Sequence, residues 1–243
     1  MRHLIKRKRV VIYQSRMHML AVVLFLLAPF LFLTFFSRIA HIATSKLYSD
    51  LGISLLRLLT AYAIAVVLGW TFAIVFYKGR RSAVALPIFD VLQSFPIFAI
   101  LPLTTAVFGA TNINVTFFLV LTIIWPVFFS ILSSLKLMRR DWQEAVEIAG
   151  WHGFEYVKRF LWPVSVPGLI TGSIIGLGEG WGALVATEII VGVHTGLGDF
   201  FSSYSHNPAI TFFGILGLLT LVFSINKLVW TPLLDWSHKL TEE

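Results

Sequence analysis

Residues 115–137 read V-T-F-F-L-V-L-T-I-I-W-P-V-F-F-S-I-L-S-S-L-K-L, and the only charge among them is Lys136. A helix that crosses about 30 Å of hydrocarbon needs about 20 apolar residues at 1.5 Å each, and this run supplies them. Comparable runs precede it at Met19 to Phe36, Leu51 to Tyr77 and Ala83 to Phe108, and follow it at Val164 to Val191 and Ala209 to Trp236. The composition agrees, with 57% hydrophobic and 13% charged residues in a chain of 243. Soluble domains carry about 25% charged residues. The expected fold is therefore an all-α integral membrane protein of six transmembrane helices. Because the chain has no cysteine, disulfides, thiolate zinc sites, iron–sulfur clusters and cysteine nucleophiles are excluded.

The positive charges orient the spans. Arg2, Lys6, Arg7, Lys8, Arg9 and Arg16 precede the first span, Lys78, Arg80 and Arg81 lie between the second and third, and Lys136, Arg139, Arg140, Lys158 and Arg159 between the fourth and fifth. With Lys239 after the last span, fifteen of the 19 basic residues share one side. The opposite loops hold Arg38 and Lys46 alone, while Arg57 and Lys227 sit inside spans. Basic loops stay cytoplasmic, so both termini are expected inside. The first run follows a basic segment as a signal peptide would, yet it is too long for one and no A-x-A pattern follows it, so it is expected to remain as a span. This divides the chain into a basic cytoplasmic N-terminus (1–18), a first transmembrane helix (19–37), a five-helix core (51–236) that includes the loop 138–163, and a cytoplasmic C-terminus (237–243).

That inner loop is the one long polar connection. From Asp141 it reads D-W-Q-E-A-V-E-I-A-G-W-H-G-F-E-Y-V-K-R-F-L-W-P. Trp142, Ala145, Val146 and Ala149 share one helical face, Asp141, Glu144 and Glu147 another, and the acids suit the positive end of the helix dipole. Gly150 is placed to end the helix, and Phe154, Val157 and Leu161 open a second apolar stripe before Pro163. Two short helices at the membrane surface are expected, either lying there unpartnered or offering a docking surface.

Glu144-Ala145, then Gly150, then Pro163 at a fixed distance resembles the E-A-A loop of the permease subunits of binding-protein-dependent ABC importers. Val146 replaces the second alanine of that pattern, and Phe160 and Trp162 its Ile and Leu. The resemblance extends over about residues 51–236, through Ser54-Leu55-Leu56-Arg57, Gln93-Ser94-Phe95-Pro96, Pro126, Leu184-Val185-Ala186-Thr187-Glu188 and Gly196-Leu197-Gly198. These are similar to the nitrate, sulfonate, taurine and bicarbonate branch. The resemblance implies a permease that forms the translocation path for a small solute, with Glu144, Ala145, Glu147, Gly150 and Pro163 coupling it to an ATP-binding subunit present in two copies. It further implies a second permease subunit, the same or similar, an extracytoplasmic solute-binding protein, and a place in the plasma (inner) membrane of a prokaryote. No G-x-x-x-x-G-K-[ST] phosphate loop occurs in the sequence. No cofactor is therefore expected on this chain, with ATP and Mg held by the partner ATPase.

Inside the spans, Gly168, Gly172, Gly176 and Gly180 recur every fourth residue, a pattern that lets helices approach closely in lipid. It marks either packing within one subunit or a subunit interface and translocation path, to which Glu179 and Glu188 are also assigned. Pro87, Pro96 and Pro102 each tend to kink the third span. Ionisable residues in a span are functional candidates. By depth, Arg57 and Glu188 form one candidate ion pair and Asp90 and Lys227 another. Glu179 falls near the midplane and is no part of the branch pattern; a carboxylate there repels an anion unless it is protonated or paired. Glu188, nine residues on, points to the opposite face of the helix. His152, His194 and His206 show no ligand spacing, so no metal is expected. A charge balance of +7 spread over membrane-flanking loops suggests lipid, and no nucleic acid partner is expected. A self-contained secondary transporter or channel using Arg57, Asp90, Glu179 and Glu188 is the competing reading, whose natural sign, internal duplication, is not found. An enzyme would need a nucleophile–base constellation, and none is visible.

Overall fold

The computed structural model describes residues 22–242, so the basic segment 1–18, the first three residues of the first apolar run and Glu243 lie outside it. All regular elements among the described residues are helical. This is the expected response of an apolar chain in lipid, where each backbone N–H and C=O must find its partner within its own helix. The helices are α1 (Val22–Ile39), α2 (Thr44–Phe76), α3 (Gly79–Gln93), α4 (Leu101–Phe108), α5 (Asn112–Lys136), α6 (Arg140–Ile148), α7 (Gly153–Tyr156), α8 (Trp162–Val191), α9 (Leu197–Ser203), α10 (Pro208–Ile225) and α11 (Thr231–Glu242).

Among the described residues, five helical stretches are long and apolar enough to cross a membrane, or six when the bent pair formed by α3 and Ile97–Phe108 counts as one. The third span is thus broken, by 78°. Of its three prolines, Pro87 lies inside α3 and Pro102 in the first turn of α4, where a missing N–H costs little. The break falls at Ser94-Phe95-Pro96: Pro96 removes a donor and holds its predecessor out of helical conformation. The second span starts earlier than its apolar run, at Thr44 instead of Leu51, because polar Thr44, Ser45, Lys46 and Asp50 continue the helix beyond the hydrocarbon-suited stretch.

Chain contacts divide the molecule into two compact units. One holds residues 22–47 and 204–233 of the described chain, and in it α10 packs on α1 through Phe25 against Phe223 (ring centroids 5.5 Å) and Phe36 against Phe213 (6.0 Å). A Cβ on Gly217 would sit 2.5 Å from Leu33 Cδ2, so glycine is what lets these helices meet. The residue 51–236 core accordingly splits between the units. The other unit, residues 48–203 and 234–243, is centred on α5 and α8. Phe118, Ile123, Phe128, Ile131 and Leu135 of α5 and Leu184 of α8 are fully buried there, while Leu56, Val67, Leu103 and Val107 face outward, as lipid-facing side chains do.

Candidate functional site

The helix α2 carries Asp50, Ser54 and Arg57 at i, i+4 and i+7, which is one face, and all three are buried. Opposite them, Glu188 of α8 is wholly buried and Arg57 Nη1 donates to its Oε1. The ion pair is held on every side. Ser54 Oγ lies 2.8 and 2.9 Å from the two Glu188 oxygens, and the Gly198 N–H donates to Oε2 at 2.8 Å. Arg57 also donates to the Thr195 carbonyl (2.9 Å), to Thr195 Oγ1 (2.8 Å) and, through Nε, to Asn112 Oδ1 (3.1 Å). The Leu197 and Gly196 N–H groups donate to Ser54 Oγ (2.8 Å) and Asp50 Oδ1 (3.1 Å). The connection after α8 is therefore no open loop. Gly192, at φ +76°, ends α8 in the left-handed region, and the chain folds back as α9, whose first two N–H groups donate to Ser54 and to the Glu188 carboxylate. Sequence reading singled out Arg57 and Glu188 but missed Asp50, Asn112 and Thr195. The recurrence of polar residues at 50, 54 and 57 within one span was the available signal for the first.

The stripe Gly168, Gly172, Gly176 and Gly180 meets a partner inside the chain. A Cβ on Gly168 would lie 2.5 Å from Ser134 Oγ and 2.8 Å from Ile131 Cα; on Gly172, 2.7 Å from Val127 Cα; on Gly176, 3.0 Å from Ile123 Cγ2; on Gly180, 3.0 Å from Leu58 Cδ1. These glycines seat α8 against α5 and α2, which is the packing within one subunit that the stripe allowed. A glycine stripe identifies a close helix contact without saying whose helix is in it. Tyr62 Oη to Ser173 Oγ (2.8 Å) and Trp70 Nε1 to Ser165 Oγ (3.0 Å) fasten α2 to α8 further along.

Glu179, one residue from that seam, lies on the other side of α8 from Glu188. It lines an open cleft of about 780 Å³ bounded by the broken third span, α5 and α8, with Gln93, Thr122, Trp125, Phe129 and Ile175 among its walls. Asp90 is exposed on α3, where its Oδ1 accepts from Gln93 Nε2 at 3.2 Å. Lys227 belongs to the other unit and lies in the π-helical turn Asn226–Trp230 between α10 and α11.

In the 138–163 segment, α6 ends where Gly150 takes φ +67°, with nothing within 4 Å of a Cβ placed there. Glycine is required by conformation, not by space. Val146 is the buried residue of α6, while Glu144, Ala145 and Glu147 are exposed and Ile148 is 89% exposed. Near the helix start, the Arg139 hydrogen bond holds the Asp141 carboxyl below its usual pKa. A second helix separate from the span does not form. Instead, α7 runs through a π-helical turn, Val157–Leu161, into α8, so that Pro163 stands in the first turn of α8 and starts no new element. Proline suits a first helical turn, and the π turn allows the helix to continue across it. Tyr77 at the end of α2 meets Tyr156 (Oη to Oη 3.0 Å), with Lys78 Nζ 5.0 and 5.4 Å from the two rings. These contacts tie α2 to the root of α8 beside a cavity of about 530 Å³ lined in part by Gln143, Val146 and Glu147 of α6.

Known proteins share this chain's sequence over the same region. It is 29% identical over 180 residues to a nitrate import permease protein of Leptolyngbya laminosa, covering 71% of this chain and 64% of that one. Against a bicarbonate transport system permease protein of Synechococcus elongatus it is 24% identical over 174 residues, covering 68% and 63%. Against a taurine transport system permease protein of Escherichia coli it is 30% identical over 155 residues, covering 63% and 56%. The chain therefore spans a little under two-thirds of the length of these relatives. The family model for the binding-protein-dependent transport system inner membrane component matches residues 65–229, from the middle of α2 to the turn after α10. That match covers more than half of the chain, which belongs to the family of inner membrane components of binding-protein-dependent transport systems.

Proposed function

We propose that this multi-pass membrane protein is the permease subunit of an ATP-driven importer and forms the path of a small solute. Two permease subunits, identical or similar, would stand between two ATP-binding subunits on the cytoplasmic side and a solute-binding protein outside, with ATP and Mg on the ATPases. Family membership supports the reading, as do relatives that import nitrate, bicarbonate and taurine. The observation that carries the coupling assignment is α6, a nine-residue helix that buries Val146 and presents Glu144, Glu147 and a bare Ile148 outward. An isoleucine 89% exposed beside two carboxylates suits a protein groove better than lipid. Docked there, α6 moves as a lever, and the Tyr77–Tyr156 contact passes its displacement to α2 and α8. Arg57 and Glu188 brace those same helices at their far ends.

Replacing Glu144 by Lys is expected to weaken binding of the ATPase at least about tenfold, or about 1.4 kcal/mol, while the helices remain inserted. Gly150→Val forces a β-branched residue into the left-handed region, at about 1 to 2 kcal/mol, and is expected to leave binding partly intact while uncoupling hydrolysis from uptake. Pull-down of the ATPase beside a measurement of ATP hydrolysed per solute imported separates the two. Wild-type binding and coupling in both variants would remove α6 from the coupling path.

A further inference from the structure

We propose that the cleft beside Glu179 is a subsite for an organic cation, a flat ammonium or amidinium compound, a class unlike the nitrate and bicarbonate anions named for two of the relatives above; this deepens the permease reading and rests on it. The cleft, about 780 Å³, is large enough for such a solute. Glu179 is the one titratable side chain that lines it, and no Lys, Arg or His does. Carboxylates at this depth of a span are costly and face a cavity or a partner charge; here the cavity is present, and Arg57 is committed to Glu188 on the opposite side of α8.

The remaining walls favour the same class. Phe95, Trp125 and Phe129 give aromatic faces, whose negative quadrupole attracts a cation. The Thr122 hydroxyl donates back to the Phe118 carbonyl at 3.1 Å, which leaves its lone pairs for the cleft. Gln93 orients its amide N–H₂ toward Asp90, so its carbonyl oxygen is the end left to accept. A cleft of one carboxylate, two acceptors and three aromatic rings complements a cation with N–H donors, whereas nitrate or bicarbonate would meet unscreened negative charge. Residues on both sides of the break at Pro96 line this space, Gln93 and Phe95 before it and Ile97 and Ile100 after it.

Because this chain contains no cysteine, an introduced thiol is the one thiol it carries, and labelling is read on this chain after the subunits are separated. In the full chain assembled with its partner subunits, Ser130→Cys, with Thr122→Cys as a second reporter, is treated with cationic trimethylammonioethyl or anionic sulfonatoethyl methanethiosulfonate. Each rate is divided by that reagent's rate with a free thiol. The cationic reagent is expected to be favoured at least about tenfold, as for a cleft of one sign of charge, and adding Glu179→Gln is expected to abolish the preference. Benzamidinium is expected to protect the thiol, and the anions nitrate and bicarbonate are not. The proposal is overturned by an equal or anionic preference, by one unchanged in Glu179→Gln, by protection from the anions alone, or by thiols unreactive at both positions until the protein is denatured. Any of these would leave the coupling through α6 standing, since ATPase binding is measured separately.

Discussion

Alanine in place of either Arg57 or Glu188 is expected to cost about 3 to 5 kcal/mol, the largest single-site loss in the molecule, because each change strands the other charge in a buried site. Arg57 is 4% exposed and Glu188 0%, so water cannot take over the lost interaction. The two changes together should cost much less than their sum, and the shortfall in a double-mutant cycle measures the coupling. Exchange of the residues, Arg57→Glu with Glu188→Arg, is not expected to restore stability. The Gly198 N–H and the Ser54 hydroxyl converge on position 188 and need an acceptor there, which arginine cannot be. Glu188→Gln keeps one acceptor oxygen and loses the charge, and should fall between wild type and Glu188→Ala. Denaturation in detergent, followed by helical signal, checks the order. Additive losses for the two alanine variants would show that no brace exists between α2 and α8.

The second large effect belongs to the glycine seam. Gly168→Leu and Gly172→Leu place atoms against the backbone of α5, where the obstacles are Ile131 Cα and Val127 Cα instead of flexible side-chain ends. Overpacking commonly costs about 1 to 3 kcal/mol, and these positions should reach or pass the upper figure because a helix, not a rotamer, must move. Gly178 and Gly182 have nothing within 4 Å of an added Cβ, so alanine there is expected to be neutral or to gain up to about 1 kcal/mol of helix propensity. Thermal aggregation of the purified variants checks the contrast. Equal tolerance at Gly172 and Gly182 would mean that the α5–α8 seam is not close-packed.

Residues with long-range physical consequences were the most legible in the sequence. Apolar length gave the spans, since a hydrocarbon layer imposes it directly. Depth along two helices was enough to nominate Arg57 and Glu188, because burial of both charges leaves few alternatives to their meeting. Gly150 was readable as a stop because the left-handed region is nearly reserved for glycine. What stayed hidden depends on neighbours. Three prolines in the third span look alike, yet only Pro96 breaks it, since Pro102 falls in a first turn and Pro87 inside α3. The glycine stripe stated that a helix approaches closely but not that the helix is α5 of the same chain. The fold-back at α9 and its N–H groups around Glu188 had no periodic signal, being seven residues long. The π turn at Val157–Leu161, which fuses the expected second surface helix to the span, is likewise a product of tertiary packing.

In the proposed mechanism, solute crosses through this chain only when a separate ATPase works on α6. Uptake into sealed liposomes tests it most directly, with the permease reconstituted alone and with its ATP-binding subunits and solute-binding protein, and with nitrate, bicarbonate, taurine and organic ammonium compounds supplied in turn. The account predicts uptake of one of them by the complete assembly, dependent on ATP and Mg at the face that carries α6, and strongly reduced by Glu144→Lys. Uptake by the chain alone, driven by an ion gradient and indifferent to ATP and to Glu144→Lys, would contradict it.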